Sequence, residues 1–205
     1  MARVGPGVIG IMAMLALAGC QQPQRKLLTH PPGTLRVRYE AASAPSSCLV
    51  ACSVMAANYL LDQPRFTEPK LRKSLQLQKL DETSVGDLKQ YLAAEGLELV
   101  TLTGWLDGNP PAGLKFWVVG KGYPAICVLN QHDGDVQFNH AVVVTGFSAN
   151  TDGTEADIVY YLDPAAREPL QSAKLADFEA NWARCDRAML IVVRPPPVEQ
   201  PAPRP

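Results

Sequence analysis

Ala125-Ile126-Cys127-Val128-Leu129, then Asp133-Gly134-Asp135, then Asn139-His140-Ala141-Val142-Val143-Val144-Thr145-Gly146-Phe147 is the stretch on which the fold turns. Two short apolar runs rich in β-branched residues flank a Gly-centred turn signal, the pattern of strands folded back on each other. A third run, Ile158 to Leu162, follows a second turn signal at Asp152-Gly153. The three together predict an antiparallel sheet. In this reading Ala141 to Phe147 is a strand with His140 at its opening, and Asp163 ends the next strand.

Upstream the apolar period changes from two to that of a helix. Cys48 to Leu61 carries Val50, Ala51, Val54, Met55 and Leu61 at helical spacing, with Ser46 and Ser47 as N-cap candidates. Pro69 suits the first turn of a second helix bearing Leu71, Leu75 and Leu80, and Ser84 to Asp87 resembles a capping box opening a third that ends at Gly96. Leu97 to Leu102 alternates and predicts a strand, while Pro111 to Val119 predicts a helix stopped by Gly120 and Gly122. Downstream come a short helix around Leu175 to Trp182 and a last strand, Met189 to Val193. Helices first and strands later is α+β segregation, unlike the alternation of a doubly wound fold.

Composition bounds what such a domain does. A chain of 205 residues, 47% hydrophobic and 19% charged, buries one sizeable core and is not disordered as a whole. Nineteen basic against twenty acidic residues give a net charge of −1, without the Lys/Arg cluster of a nucleic-acid binder. Five cysteines are too few for a disulfide-built scaffold and lack the paired C-x-x-C groups of a structural zinc site.

The ends of the chain read as processing and tether segments. Arg3, an apolar stretch from Val8 to Ala18 too short to span a bilayer, and small residues behind it make residues 1–19 a secretory signal. Its end, Leu17-Ala18-Gly19-Cys20, resembles the lipobox of bacterial lipoproteins, in which the signal is cut before the cysteine and that cysteine is acylated. The resemblance implies a membrane-anchored protein with Cys20 as its lipidated first residue. Gln21, where inner-membrane lipoproteins often carry Asp, tilts the expectation towards the outer membrane of a Gram-negative host, facing the periplasm. Residues 20–32 form a polar, Pro-containing tether, residues 33–194 the folded domain, and residues 195–205, with six prolines in eleven positions, a polyproline-II tail outside the core.

The chemistry follows from what a thiol needs. A cysteine attacks as its thiolate, which a helix N-terminus and a neighbouring imidazole both favour. Cys48 sits at the predicted helix start. The imidazole needs a rigid mount, one ring nitrogen towards the sulfur and a third group on the other nitrogen. If the strand opened by His140 pairs with the strand ended by Asp163, both residues share one edge of the sheet.

Ser47-Cys48-Leu49-Val50-Ala51-Cys52 with Ser53 to Tyr59, Gly122-Tyr123-Pro124-Ala125-Ile126, Asn139-His140-Ala141 to Phe147 and Leu162-Asp163-Pro164-Ala165 occur in an order that resembles one family. It is the papain-like peptidases of the double-glycine-leader, bacteriocin-processing type, family thirty-nine of the cysteine peptidases. The resemblance spans roughly Val37 to Val193 and rests on the ordered set. It implies N-terminal helices carrying the cysteine packed on an antiparallel sheet carrying the histidine and aspartate. By position it makes Cys48 the nucleophile, His140 the general base and acid, and Asp163 the orienter of the imidazole. Two positions depart from the family: Leu49 follows the cysteine where Gly or Trp is usual, and Ala42 stands where a glutamine helps form the oxyanion hole. Ser43, Ser46 or Ser47 are candidate replacement donors, whereas an ionised Glu40 would repel an oxyanion.

The remaining reactive residues have plainer readings. Cys52, one turn beyond Cys48, is a core residue or a disulfide partner, and two of Cys52, Cys127 and Cys185 could bridge in an oxidising compartment. His132 falls in a turn-rich loop and His30 in the tether. Trp105, Trp117 and Trp182 read as core or cleft-wall aromatics. The expectation is a lipid-anchored periplasmic thiol hydrolase acting on a peptide or amide, needing no metal or organic cofactor and carrying no phosphate-binding loop. Two alternatives stand beside it: an acyltransferase of the phytochelatin-synthase-like kind on the same scaffold, and a non-catalytic domain that binds peptides or a partner lipoprotein.

Overall fold

The computed structural model describes residues 29–133, 136–148 and 158–195. The signal segment, Cys20, most of the tether, the tail beyond Pro195 and the Gly134-Asp135 and Asp152-Gly153 signals lie outside the described residues. A 3₁₀ turn at Pro45–Ser47 leads into α1, Cys48–Leu61, followed by α2, Glu68–Leu77, and α3, Val85–Ala94. Then come β1, Glu98–Thr103; β2, Ala125–Asp133; β3, Val136–Ser148; β4, Ile158–Leu162; β5, Leu170–Lys174; α4, Leu175–Ala183; and β6, Ala188–Val193. The strands form one six-stranded sheet in the order β1-β6-β2-β3-β4-β5, antiparallel at every pairing.

Both faces of the sheet are covered, which explains why its central strands are apolar almost without alternation. Ile126, Ala141, Val143, Leu190 and Val192 face α1, α2 and α3, while Cys127, Val142, Val144, Met189 and Ile191 pack with Phe178 and Trp182 of α4 and with Leu114 and Val118. α1 lies against the middle of the sheet, and its residues from Leu49 to Asn58 are all buried. A helix enclosed on all sides is apolar all round, so its period alone under-reports its burial. Leu61, one of the spaced residues, is only half-buried at the helix end.

The antiparallel α+β architecture agrees with the expectation, three local expectations need correction, and one strand has no counterpart in the sequence reading. The stretch from Pro111 to Val119 is helical only in its second half, where Leu114 and Lys115 run into a π-helix at Phe116–Gly120. Ahead of it the Trp105 N–H donates to the Ala112 carbonyl and the Leu114 N–H to the Trp105 carbonyl, a bridge that keeps residues 111–113 out of the helix. A Cβ on Gly113 would come within 2.5 Å of two backbone oxygens in that coil. β5 escapes a reading based on apolar runs because Gln171, Ser172 and Lys174 hold their place through pairing with β4, at the sheet edge. His132 belongs to β2 rather than to a loop. His140 does not open its strand but lies within β3, because the β2–β3 ladder continues to the pair Asp133 and Val136 through backbone bonds that polar residues make as well as apolar ones.

Candidate active site

The nucleophile candidate is placed by a tight polypeptide corner. Ser47 is not a conventional cap: its hydroxyl donates to the Ala44 carbonyl at 2.9 Å and accepts from the Ala44 N–H at 3.2 Å. This closes the Pro45–Ser47 turn and aims the first residue of α1 out of the core. Cys48 is accordingly half-buried, whereas Cys52, one turn on, is fully buried.

Across from Cys48, β3 delivers His140, and the residue after β4 delivers Asp163. His140 Nε2 and Asp163 Oδ1 are 2.7 Å apart, with His140 4% and Asp163 9% exposed. This leaves Nδ1 of the ring for the sulfur, and the Cys48 and His140 side chains are hydrogen-bonded. Asp163 is held in turn by its neighbours: the Ala165 N–H donates to Oδ1 at 2.9 Å, and the Asp163 N–H donates to the Pro169 carbonyl at 2.9 Å. The structure thus brings Cys48, His140 and Asp163 into one chain of contacts. His30 lies elsewhere, near Arg36.

Electrostatics in this chain oppose burial and overcome it. Burial pushes the Cys48 thiol up, but the bond from His140, the Ala141 N–H, the imidazolium charge and the Leu49 N–H together bring it below its ordinary value. Burial lowers His140, yet its bonds and charge interactions with Asp163 and Cys48 carry its pKa up to about 9. Burial raises Asp163, and its bonds with His140 and the Ala165 and Ala166 N–H groups, with the imidazolium charge, bring it below the usual carboxylate range. All three shifts favour the charged forms: a thiolate, an imidazolium and a carboxylate in sequence. Such a group attacks an electrophilic carbon and returns a proton to the departing atom.

The replacement oxyanion donors suggested by the sequence are engaged elsewhere. Ser43 donates its hydroxyl to Glu68 Oε1 at 2.8 Å and accepts from Arg72 at 2.7 Å. Ser46 donates to Glu82 at 2.6 Å, and Ser47 is closed on Ala44. The Ala42 N–H donates to the Pro164 carbonyl at 2.9 Å, beside the Tyr39 hydroxyl, which donates to the same oxygen at 3.1 Å.

These bonds expose a set of residues that sequence reasoning missed. Arg72 pairs with Glu82 and lies 3.6 Å from the fully buried Glu68, and Glu40 accepts from the Glu68 N–H at 2.8 Å. The segment 40–46 before the nucleophile is thereby fastened to α2, to the α2–α3 connection and to the Asp163 loop. The one available signal was Glu68-Pro69 at a helix start, which does not distinguish a buried acid from a solvated one.

Among the described residues no thiols bridge. Cys48, Cys52, Cys127 and Cys185 are all free, so of the two readings of Cys52 the core one holds and the possible bridge among Cys52, Cys127 and Cys185 is not made. Cys52 and Cys127 lie in the cores on opposite faces of the sheet, and the Cys185 thiol donates to Asn139 Oδ1 at 3.2 Å. Trp182 is fully buried, while Trp105 is exposed rather than core.

A helix-borne cysteine beside a strand-borne histidine and an aspartate just past a strand end, on this α+β scaffold, defines a papain-like cysteine-peptidase fold. The chain belongs to the Peptidase_C39 like family, whose model matches residues 34–189. Three solved structures share the fold. One is the peptidase domain of Streptococcus ComA, a bi-functional ABC transporter involved in quorum sensing, with 14% identity, TM-score 0.51, and coverage of 77% of this chain and 96% of that one. Another is a double glycine motif protease from an AMS/PCAT transporter, solved in complex with the leader peptide, with 17% identity, TM-score 0.52 and coverage of 78% and 94%. The third is a C39-like peptidase from Bacillus anthracis, with 15% identity, TM-score 0.54 and coverage of 79% and 98%. No curated protein matches the chain.

Proposed function

We propose that this chain is a cysteine peptidase that hydrolyses a peptide or amide bond with Cys48, His140 and Asp163. The observation that carries the proposal is the unbroken contact from the Cys48 sulfur through His140 to Asp163 Oδ1, 2.7 Å from Nε2. In this mechanism the Cys48 thiolate attacks the carbonyl carbon and forms a tetrahedral oxyanion. The His140 imidazolium then gives its proton to the leaving amine as the thioester forms. His140, now neutral, takes a proton from water, which attacks the thioester and releases the acid and the free thiol. Asp163 holds the ring and stabilises its charge throughout.

Family membership supports the reaction class, and the leader peptide bound by the transporter protease supports a peptide as the substrate class. With Ala42 in place of a glutamine and the three nearby serine hydroxyls engaged, stabilisation of the oxyanion falls to backbone N–H groups at the start of α1. One missing donor lowers turnover by about 10²- to 10³-fold, so the enzyme is expected to be slow. We further propose that Cys20 is acylated after removal of residues 1–19 and anchors the domain to the outer membrane, on its periplasmic side; Cys20→Ser would then move the protein from the membrane to the soluble fraction.

The direct test is to trap the thioester. Incubation with a peptide library, acid quenching and intact-mass spectrometry should show an acyl adduct on Cys48 that disappears in Cys48→Ala and decays on dilution into buffer. Decay only when an amine or thiol acceptor is added would assign acyl transfer instead. No adduct under conditions where peptides bind would make the domain a binding module.

A further inference from the structure

At the far end of α1 from Cys48, a cleft of about 440 Å³ is lined by Arg36, Arg38, Asn58, Tyr59, Asp62 and Gln63. Its volume lies in the range of small-molecule sites, about 300–1,000 Å³. Tyr59 is eleven residues beyond Cys48 on the same helix, roughly 16 Å along its axis, so this is not part of the peptidase site.

Charge at the cleft is uncompensated. Arg36 and Arg38 flank Val37, which is 1% exposed and anchors the segment in the core, so both guanidinium groups are left outside. Neither forms an ion pair or side-chain hydrogen bond with a described residue, and the Asp62 carboxylate likewise has none. Asn58 does not contribute, because its amide is spent on the Phe66 N–H and carbonyl at 2.9 and 2.8 Å. Burial raises the Tyr59 pKa, which keeps its hydroxyl a donor. Two guanidinium forks match the oxygens of a tetrahedral phosphate, and a carboxylate beside them matches an ammonium. The cleft carries net charge +1; a phosphate monoester of about −2 that bears an ammonium complements it.

We propose that this cleft binds an aminoalkyl phosphate of the phosphorylethanolamine type, with the phosphate between Arg36 and Arg38 and the ammonium on Asp62. The monoester occurs free, and its phosphodiester, with one negative charge fewer, is the headgroup of phosphatidylethanolamine. An acylated Cys20, sixteen residues before Arg36, would keep the cleft within about 55 Å of a membrane surface.

Calorimetry on the full chain in maltoside micelles tests this with phosphorylethanolamine, inorganic phosphate and ethanolamine as titrants. Phosphorylethanolamine should bind about tenfold or more tightly than either fragment. Arg36→Met with Arg38→Met should weaken it by at least about tenfold, while Asp62→Asn should bring its affinity down to that of phosphate. Burial lowers the His30 pKa and the Arg36 charge lowers it further, so the His30 ring resonance should move on binding in the native chain and stay still in the double arginine variant. Unchanged circular dichroism verifies folding of each variant. Dihexanoyl phosphatidylethanolamine competing where dihexanoyl phosphatidylcholine does not would assign the lipid source, and competition by the free compound alone the soluble one. Absence of heat at millimolar ligand, equal binding of inorganic phosphate, or binding indifferent to the arginines would overturn the proposal.

Discussion

Cys48 and Cys52 are one turn apart on the same helix and stand at opposite ends of thiol chemistry. Both contact the backbone of Ala141: its N–H stabilises the Cys48 sulfur as an anion, and its carbonyl accepts from the Cys52 thiol at 3.2 Å. Cys48 is half-buried beside an imidazole and its pKa falls, whereas Cys52 is fully buried and its pKa is pushed well up, first by burial and then by the nearby Cys48, Asp163 and Cys127. Neither residue type nor helix determines reactivity here. Burial and partners do: one residue of β3 presents its N–H to the Cys48 sulfur and its carbonyl to the Cys52 thiol, and the His140 imidazole stands beside Cys48.

The largest break in this comparison comes from exchanging the thiols themselves. Cys48→Ala should lower peptide hydrolysis by at least about 10⁴-fold, while Cys52→Ala should leave the rate within about tenfold and cost about 1 kcal/mol of stability in urea unfolding. Equal losses from both would mean that Cys48 acts only as a packing residue.

A pH profile separates the partner from the helix. Activity should rise as Cys48 loses its proton below the ordinary thiol range, then fall as His140 loses its own near pH 9, since the neutral ring has no proton for the leaving amine. In His140→Ala, which lacks the proton donor, the limb is read from Cys48 alkylation against pH and should move up towards the ordinary thiol value. A limb that stays in place would assign the lowered pKa to the helix end alone.

A smaller effect is expected from the clamp that seats Cys48. Arg72→Met removes the cation shared by Glu82, Ser43 and the buried Glu68. Stability should drop by about 1–3 kcal/mol, with kcat falling while KM holds. Smaller still for the site is Gly104→Ala, whose Cβ would meet the Trp182 ring at 2.6 Å on the opposite face of the sheet. It should cost about 1–3 kcal/mol and leave the Cys48 alkylation rate unchanged.

Legibility of this molecule in its sequence follows the same division between side chain and partner. α1 is read from Cys48 to Leu61 with the bounds it has in the structure, and β4 likewise, because apolar periodicity reports burial against a neighbour. β5 and the start of β3 were missed because backbone pairing, not side-chain polarity, holds them. Cys48, His140 and Asp163 stood out through order and family resemblance, and they meet. The fate of Ser43, Ser46 and Ser47 was not legible, since it depends on Glu68, Arg72 and Glu82, which approach only after α2 packs on α1. For the same reason the uncompensated charge of Arg36 and Arg38 carries no sequence signal: two arginines in an extended segment look alike whether or not an acid stands opposite.

The most direct test of the account is the rate of iodoacetamide alkylation at each cysteine, mapped by peptide mass spectrometry at pH 6 in the native chain and in His140→Ala. The account predicts modification of Cys48 well ahead of Cys52, Cys127 and Cys185, at least about tenfold faster than a free thiol at that pH, with the advantage lost in His140→Ala. Alkylation of Cys48 no faster than a free thiol, or equally fast without His140, would contradict it.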